Sequence, residues 1–200
     1  QETSLYLSAF FTENWRISDL IDSRTLFVNS RLAEHYGLGA VDGPVFRRIE
    51  SDSFRRGGLL TQGSILTVTS NSNRTSVVQR GLWIIRNVLC ESIGDPPPNV
   101  PQLPEQSRGR GTMRQQMEAH RSQPACAMCH RRIDPPGFGL ENFDGIGGWR
   151  ASDDGAPVDP SGTFVTRSGS QPFRDFGDLR RLLKDDPRFV SDIFWSDGMV

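Results

Sequence analysis

Lysine is almost missing from this chain. Of 23 basic residues, Lys184 is the one lysine and the rest are arginine. That bias reads as genome composition rather than function. The formal net charge is −1, so no long-range pull toward nucleic acid or an anionic membrane is built in. Apolar runs fall far short of the ~20 residues that a membrane span needs. With only 3 cysteines in 200 residues, a disulfide scaffold is excluded. No Ser-His-Asp order or phosphate-binding glycine loop stands out, and the Gly57-Gly58 and Gly109-Gly111 pairs are too short to make one. Internal repeats are absent. The sequence also opens on Gln1, without an initiator methionine or a signal peptide.

What remains is a globular composition, 36% hydrophobic and 24% charged, sized for one medium domain or two small ones. Within it, two of the three cysteines stand together as Cys126-Ala127-Met128-Cys129-His130. C-x-x-C-H is the attachment signature for c-type haem. Each thiol adds across one vinyl group to form a thioether. Two intervening residues on a helical turn set the sulfurs at the vinyl separation. The adjacent His130 then lies under the ring as proximal iron ligand. By residue frequencies such a motif arises by chance in roughly one of a thousand chains of this composition.

Three other readings stay open. A C-x-x-C redox pair lacks the surrounding βαβ pattern. Zinc could take Cys126, Cys129 and His130, but adjacent Cys and His rarely share one tetrahedral ion, and Cys90 stands alone. A structural disulfide is the third. The expected cofactor is covalent haem c. Haem is attached to this motif after export in bacteria, so a chain without a leader is expected to be a mature or internal segment of a periplasmic or secreted protein.

The elements expected around the motif are mainly helical. Residues 4–11 read as the end of a helix, followed by an amphipathic turn at Ile17, Leu20 and Ile21. Asn29 caps a helix that Gly37 stops. Residues 39–58 are Gly- and Arg-rich, with one strand at Phe46–Ile49. Residues 59–69 are ambiguous, leaning to helix. Ser76 and Gln79 suggest a capping box for a helix with Leu82, Ile85, Val88 and Leu89 on its core side. The proline run at 95–104 can be neither helix nor central strand and marks the best internal boundary. Met113, Gln116, Met117 and His120 share the face of a helix over 110–122, ended by Pro124. Asp134-Pro135-Pro136-Gly137 predicts a turn, Phe138–Phe143 a short helix, and Gly145, Gly147 and Gly148 a break before Trp149. A loop with a small hairpin around Asp159–Gly162 leads to an amphipathic helix at 175–184.

The distal iron position is the mechanistic unknown. Met128 sits inside the attachment loop on the proximal side and is excluded. His120 is the leading candidate for a sixth ligand, with Met117 and then Met113 behind it; all three also read as packing or surface residues. A ligand beyond this segment is the other option. Phe138, Leu140 and Phe143 could wall a haem. Trp149 and Arg150 could reach a propionate, as could Arg131 or Arg132. Asp134 could orient His130 through the second ring nitrogen, though capping the following turn is favoured. Glu141 and Asp144 make a carboxylate pair better suited to hydrogen bonding the Gly-rich turn than to acid–base chemistry.

The segment Arg114–Arg150, RQQMEAHRSQPACAMCHRRIDPPGFGLENFDGIGGWR, resembles the cytochrome-type domain, third type, of planctomycete secreted proteins, a family of unknown function. Arg56–Gln62 and Ser72–Trp83 resemble the same domain. Residues 1–38, with FVNSRLAEHYGL at Phe27–Leu38, are similar to the tail of the neighbouring domain, and 162–190 to the start of the one that follows. Val77 replaces a family proline, and Phe194–Val200 do not match the family's continuation. The resemblance implies a helical c-type cytochrome-like domain over 41–150 with irregular Gly/Pro-rich loops. A helical tail over 1–40 precedes it, and a truncated domain over 151–200 follows. It also implies a multidomain exported parent, with partners among its other redox centres or a periplasmic electron donor or acceptor. Three functions fit. One is an electron-transfer module; another is a peroxidase- or oxygenase-like enzyme with an open iron site; the third is a non-redox module stapled by metal or haem.

Overall fold

A computed structural model describes residues 1–53, 55–94, 111–121 and 124–189. The proline connector at 95–104 and the terminal Phe194–Val200 lie outside the described residues. Among those described, seven helices alternate with three antiparallel two-stranded ribbons. The architecture is therefore mixed, which corrects the mainly helical expectation. No helix among them is long and apolar enough to cross a membrane.

The opening helix α1 (Glu2–Thr12) leads through a 3-10 turn (Ile17–Leu20) into strand β1 (Thr25–Val28). Helix α2 (Ser30–His35) follows, its first turn closed by Asn29, whose side chain accepts from Leu32 N. Strand β2 (Arg47–Glu50) returns antiparallel on β1, with Leu26 opposite Ile49. Sequence patterning found β2 but not its partner, because Thr25–Val28 offers only four residues to show a period.

A 3-10 turn (Leu59–Thr61) and helix α3 (Gly63–Val68) resolve the ambiguous 59–69 stretch as helical. Helix α4 (Val77–Trp83) starts on Ser76, which accepts from Gln79 N. The reciprocal half of the capping box is not made, since the Gln79 amide donates to Asn71 instead. Beyond Trp83 the helix widens into a π turn (Ile84–Val88). One extra residue per turn rotates the stripe, so Ile84 joins Ile85, Val88 and Leu89 in the core while Leu82 is only half-buried.

Helix α5 (Met113–His120) is closed by a Thr112–Gln115 capping box. Helix α6 (Pro124–Phe138) then runs through Pro135 and Pro136. This overturns the expected turn at 134–137, and the short helix expected over Phe138–Phe143 is replaced by the end of α6 at Phe138 and turns at Gly139–Asn142. Proline removes the bonds to the carbonyls four residues back. Those carbonyls belong to Arg131 and Arg132, both exposed, where water can serve them. The helix packs closely along α4.

That contact is backbone on backbone. A Cβ added at Gly81 would meet Ile133 O at 1.9 Å, and one at Gly137 would meet Val77 O at 2.0 Å. A Gly81→Ala change in a helix ordinarily gains stability. Here it should lose about 1–3 kcal/mol by forcing α4 and α6 apart. Urea unfolding of the variant reads the sign directly.

After α6 come the ribbons β3 (Ser152–Asp153) with β4 (Ala156–Pro157), and β5 (Gly162–Thr166) with β6 (Gly169–Phe173). The second hairpin therefore turns at Arg167-Ser168, not around Asp159–Gly162 as expected. Helix α7 (Phe176–Lys184) packs Phe176, Leu179 and Leu183 inward. They join a central core with Ile21, Leu60, Ile84, Phe143 and Phe164. A single apolar cluster thus draws on residues from across the chain. A smaller one holds Val77, Met113, Met117 and Phe138.

Candidate functional site

Helix α6 presents Cys126, Cys129 and His130 at i, i+3 and i+4, a spacing that puts them on one helix face. Both cysteines are half-buried, and no disulfide joins them. Met128, between them in sequence, is 77% exposed. One turn further on, Asp134 is fully buried, and its Oδ1 lies 2.8 Å from His130 Nδ1. A carboxylate can only accept, so Nδ1–H donates, the arrangement that in a neutral imidazole leaves the lone pair on Nε2. Asp134 thus orients the imidazole, which corrects the favoured capping role. The other oxygen, Oδ2, is buried without a hydrogen bond, with Arg121 Nε 3.7 Å away. Folding alone rarely selects such an orphaned oxygen.

Helix α5 lies over this face. The His120 ring stands edge-on to His130, 5.0 Å between centroids. Burial pulls the His120 pKa below its ordinary value; the neighbouring His130 adds to the drop and Asp134 opposes it. Met117 and Met113 are buried against Val77 and Phe138. Arg114 lies 4.0 Å and Arg121 6.0 Å from the Phe138 ring centre. The start of α5 is tied down by Asp153, which accepts from Met113 N at 2.8 Å. His120 and His130 therefore meet at the end of α5, while Met113, Met117 and Phe138 pack together with Val77.

The remaining expected residues fall elsewhere. Leu140 and Phe143 belong to the central core, so the anticipated aromatic wall is split between two clusters. Trp149 stacks edge-on against Phe143 at 5.3 Å, with Arg55 over its ring. The Arg150 guanidinium is engaged with Glu141, Asp153 and Thr75. Asp144 accepts from Ile146 N and Gly148 N and so shapes the Gly-rich turn, as expected. Glu141 instead lies buried between Arg80 and Arg150. Burial raises its pKa, and the two guanidiniums oppose the rise.

Sequence reading named the His130–Asp134 pair but ranked it below capping, and it missed the Arg80 clamp described below. The first was legible as an i, i+4 pair, but only if the helix was allowed to cross Asp-Pro. The second had no signal, because one arginine among so many announces nothing.

The donor set suits a covalent haem. Two thiols and an imidazole whose Nδ1 is engaged by Asp134 share one helix face, with the His120 ring edge-on to that imidazole. Among the described residues, no group of three or more His, Cys, Asp or Glu side chains is assembled to hold a metal ion directly. No curated protein and no solved structure matches the chain. Residues 56–153 match the family PSCyt3, described as a protein of unknown function (DUF1588), and residues 1–38 match PSD4, also described as a protein of unknown function (DUF1592). The chain thus carries PSD4 sequence followed by a PSCyt3 domain, the cytochrome-type domain that its motifs resemble.

Proposed function

We propose that the PSCyt3 segment is a covalent haem-c module that relays single electrons within an exported, multidomain protein. The observation that carries this reading is the His130–Asp134 pair at 2.8 Å on the same face as Cys126 and Cys129. When bound, the haem would supply one-electron exchange between its ferric and ferrous states. Cys126 and Cys129 would hold it through thioethers. His130 would offer Nε2 to the iron, with its rotation and tautomer fixed by Asp134. His120, whose ring stands 5.0 Å from that of His130, is the candidate for the distal side. Electron partners would be other redox centres of the same polypeptide or a periplasmic donor or acceptor.

The test is maturation. Coexpressed with a haem-attachment system, the 200-residue chain should retain haem after denaturation and give a c-type pyridine haemochrome. Cys126→Ser/Cys129→Ser should abolish it. An apo product under conditions that mature a control cytochrome would end the proposal, and zinc retained instead would favour a metal-stapled structural module. A low-spin ferric spectrum that turns high-spin in His120→Ala assigns the distal ligand to His120. A high-spin, cyanide-binding wild type would point to an open-site enzyme.

A further inference from the structure

We infer that Asp134 is a positioning residue that biases the iron site toward its oxidised state. This deepens the haem reading and rests on it. Four features converge on the inference. Asp134 is fully buried, its Oδ1 accepts from His130 Nδ1 at 2.8 Å, and Oδ2 lacks a hydrogen bond. The fourth is backbone geometry: two prolines follow Asp134, yet the helix continues and keeps the carboxylate one turn from His130.

Two physical effects act in the same direction. A carboxylate that takes a strong hydrogen bond from Nδ1–H gives the imidazole anionic character, and Nε2 becomes a better donor to a more highly charged metal. The carboxylate is also a negative charge in a place of low dielectric, where it favours the extra positive charge of ferric over ferrous iron. Arg121 Nε, 3.7 Å from Oδ2, offsets the second effect in part. A backbone carbonyl in place of Asp134 would orient His130 as well but would add no charge. The side chain here therefore does more than hold a ring.

A structural role would alter stability and leave the potential alone, so the potential is the measurement. In the haem-loaded chain, Asp134→Asn keeps the shape and removes the charge. It should shift the ferric-to-ferrous balance toward ferrous by tenfold or more, an upward move of about 59 mV or more for one electron. Arg121→Gln should move it the opposite way. An unchanged potential in Asp134→Asn, with haem attached and His130 still ligated, overturns the inference.

If Asp134→Asn fails to mature, the apo wild-type chain carries the test. Nitrogen-15 NMR of His130 should show the proton on Nδ1, and a proton on Nε2 overturns the pairing. Absence of haem from the wild type refutes the function proposed above. The tautomer is then still read, so the two failures are distinguishable.

Discussion

Arg80→Leu should cost the chain about 3–5 kcal/mol, the range for removing one member of a buried ion pair. Arg80 sits on α4 with its side chain fully enclosed. Its Nη atoms donate to Leu140 O at 2.8 Å, Phe143 O at 2.6 Å and Asp144 O at 2.6 Å, and reach Glu141 Oε1 at 3.4 Å. Burial lowers its pKa to about 10, and the Glu141 carboxylate opposes the drop; the guanidinium stays charged at neutral pH. Leucine would fill much of the space but leave Phe143 O without its donor, and Leu140 O and Asp144 O with only their backbone donors, Phe143 N and Gly147 N. Each buried polar group left unpaired costs about 1–3 kcal/mol, and Glu141 would keep only Arg150 and Thr75. For a domain of this size the melting temperature should fall by about 10 °C. Arg80→Lys separates charge from geometry. An ammonium cannot span three divergent carbonyls as the planar fork does, so lysine should recover only part of the loss. Full recovery by lysine in urea unfolding would mean that charge alone matters here.

The clamp also bears on the site. The segment it grips begins two residues after α6 ends, and α6 is pressed against α4 through Gly81 and Gly137. Helix α6 is therefore fixed from both its flank and its exit, the rigidity that the proposed role of His130 would need.

Local chemistry was readable wherever it was dense in sequence. The Asn29 cap, the Ser76 cap and the apolar periodicity of 175–184 each produced the element expected of them. Non-local pairing was not readable. Thr25–Val28 becomes a strand because Arg47–Glu50 lies beside it, and neither segment is long enough to reveal the match. The π turn at Ile84–Val88 escaped for a related reason: a one-residue widening leaves composition unchanged yet moves Ile84 inward and Leu82 outward. Asp134-Pro135-Pro136-Gly137 failed differently. Its local preference for a turn is real, and tertiary packing against Val77 and Gly81 overrides it. That override is what sets Asp134 beneath His130, so the strongest sequence misreading coincides with the most informative feature of the site.

Stability should fall as pH rises from 4.5 to 7, and Glu2 should contribute to the fall. Glu2 is buried, accepts from the Tyr36 hydroxyl at 2.7 Å, and has its Oε1 enclosed without a hydrogen bond. Burial raises its pKa from 4.5 to about 7, while the Tyr36 hydrogen bond and the Arg56 charge hold it back. The folded state therefore keeps a proton that the unfolded chain releases near 4.5. The associated stability is complete below 4.5 and is lost as pH passes 7, amounting to about 3 kcal/mol. Glu141, also raised by burial, acts with the same sign. Asp178, lowered to about 2 chiefly by its hydrogen bond from Arg174, is half-buried and acts only in acid. Glu2→Gln isolates the effect, because the amide keeps the Tyr36 contact and cannot ionise. The variant should match wild type in urea midpoint at pH 4 and exceed it at pH 8; parallel curves for the two proteins would remove Glu2 from the account. The location gives the result wider meaning. Tyr36 accepts from Gly63 N at 2.6 Å while donating to Glu2, so this group joins the PSD4 segment to the PSCyt3 domain. A proton lost at Glu2 leaves a buried charge at that seam, and the two family segments should loosen there before the haem-motif helix does.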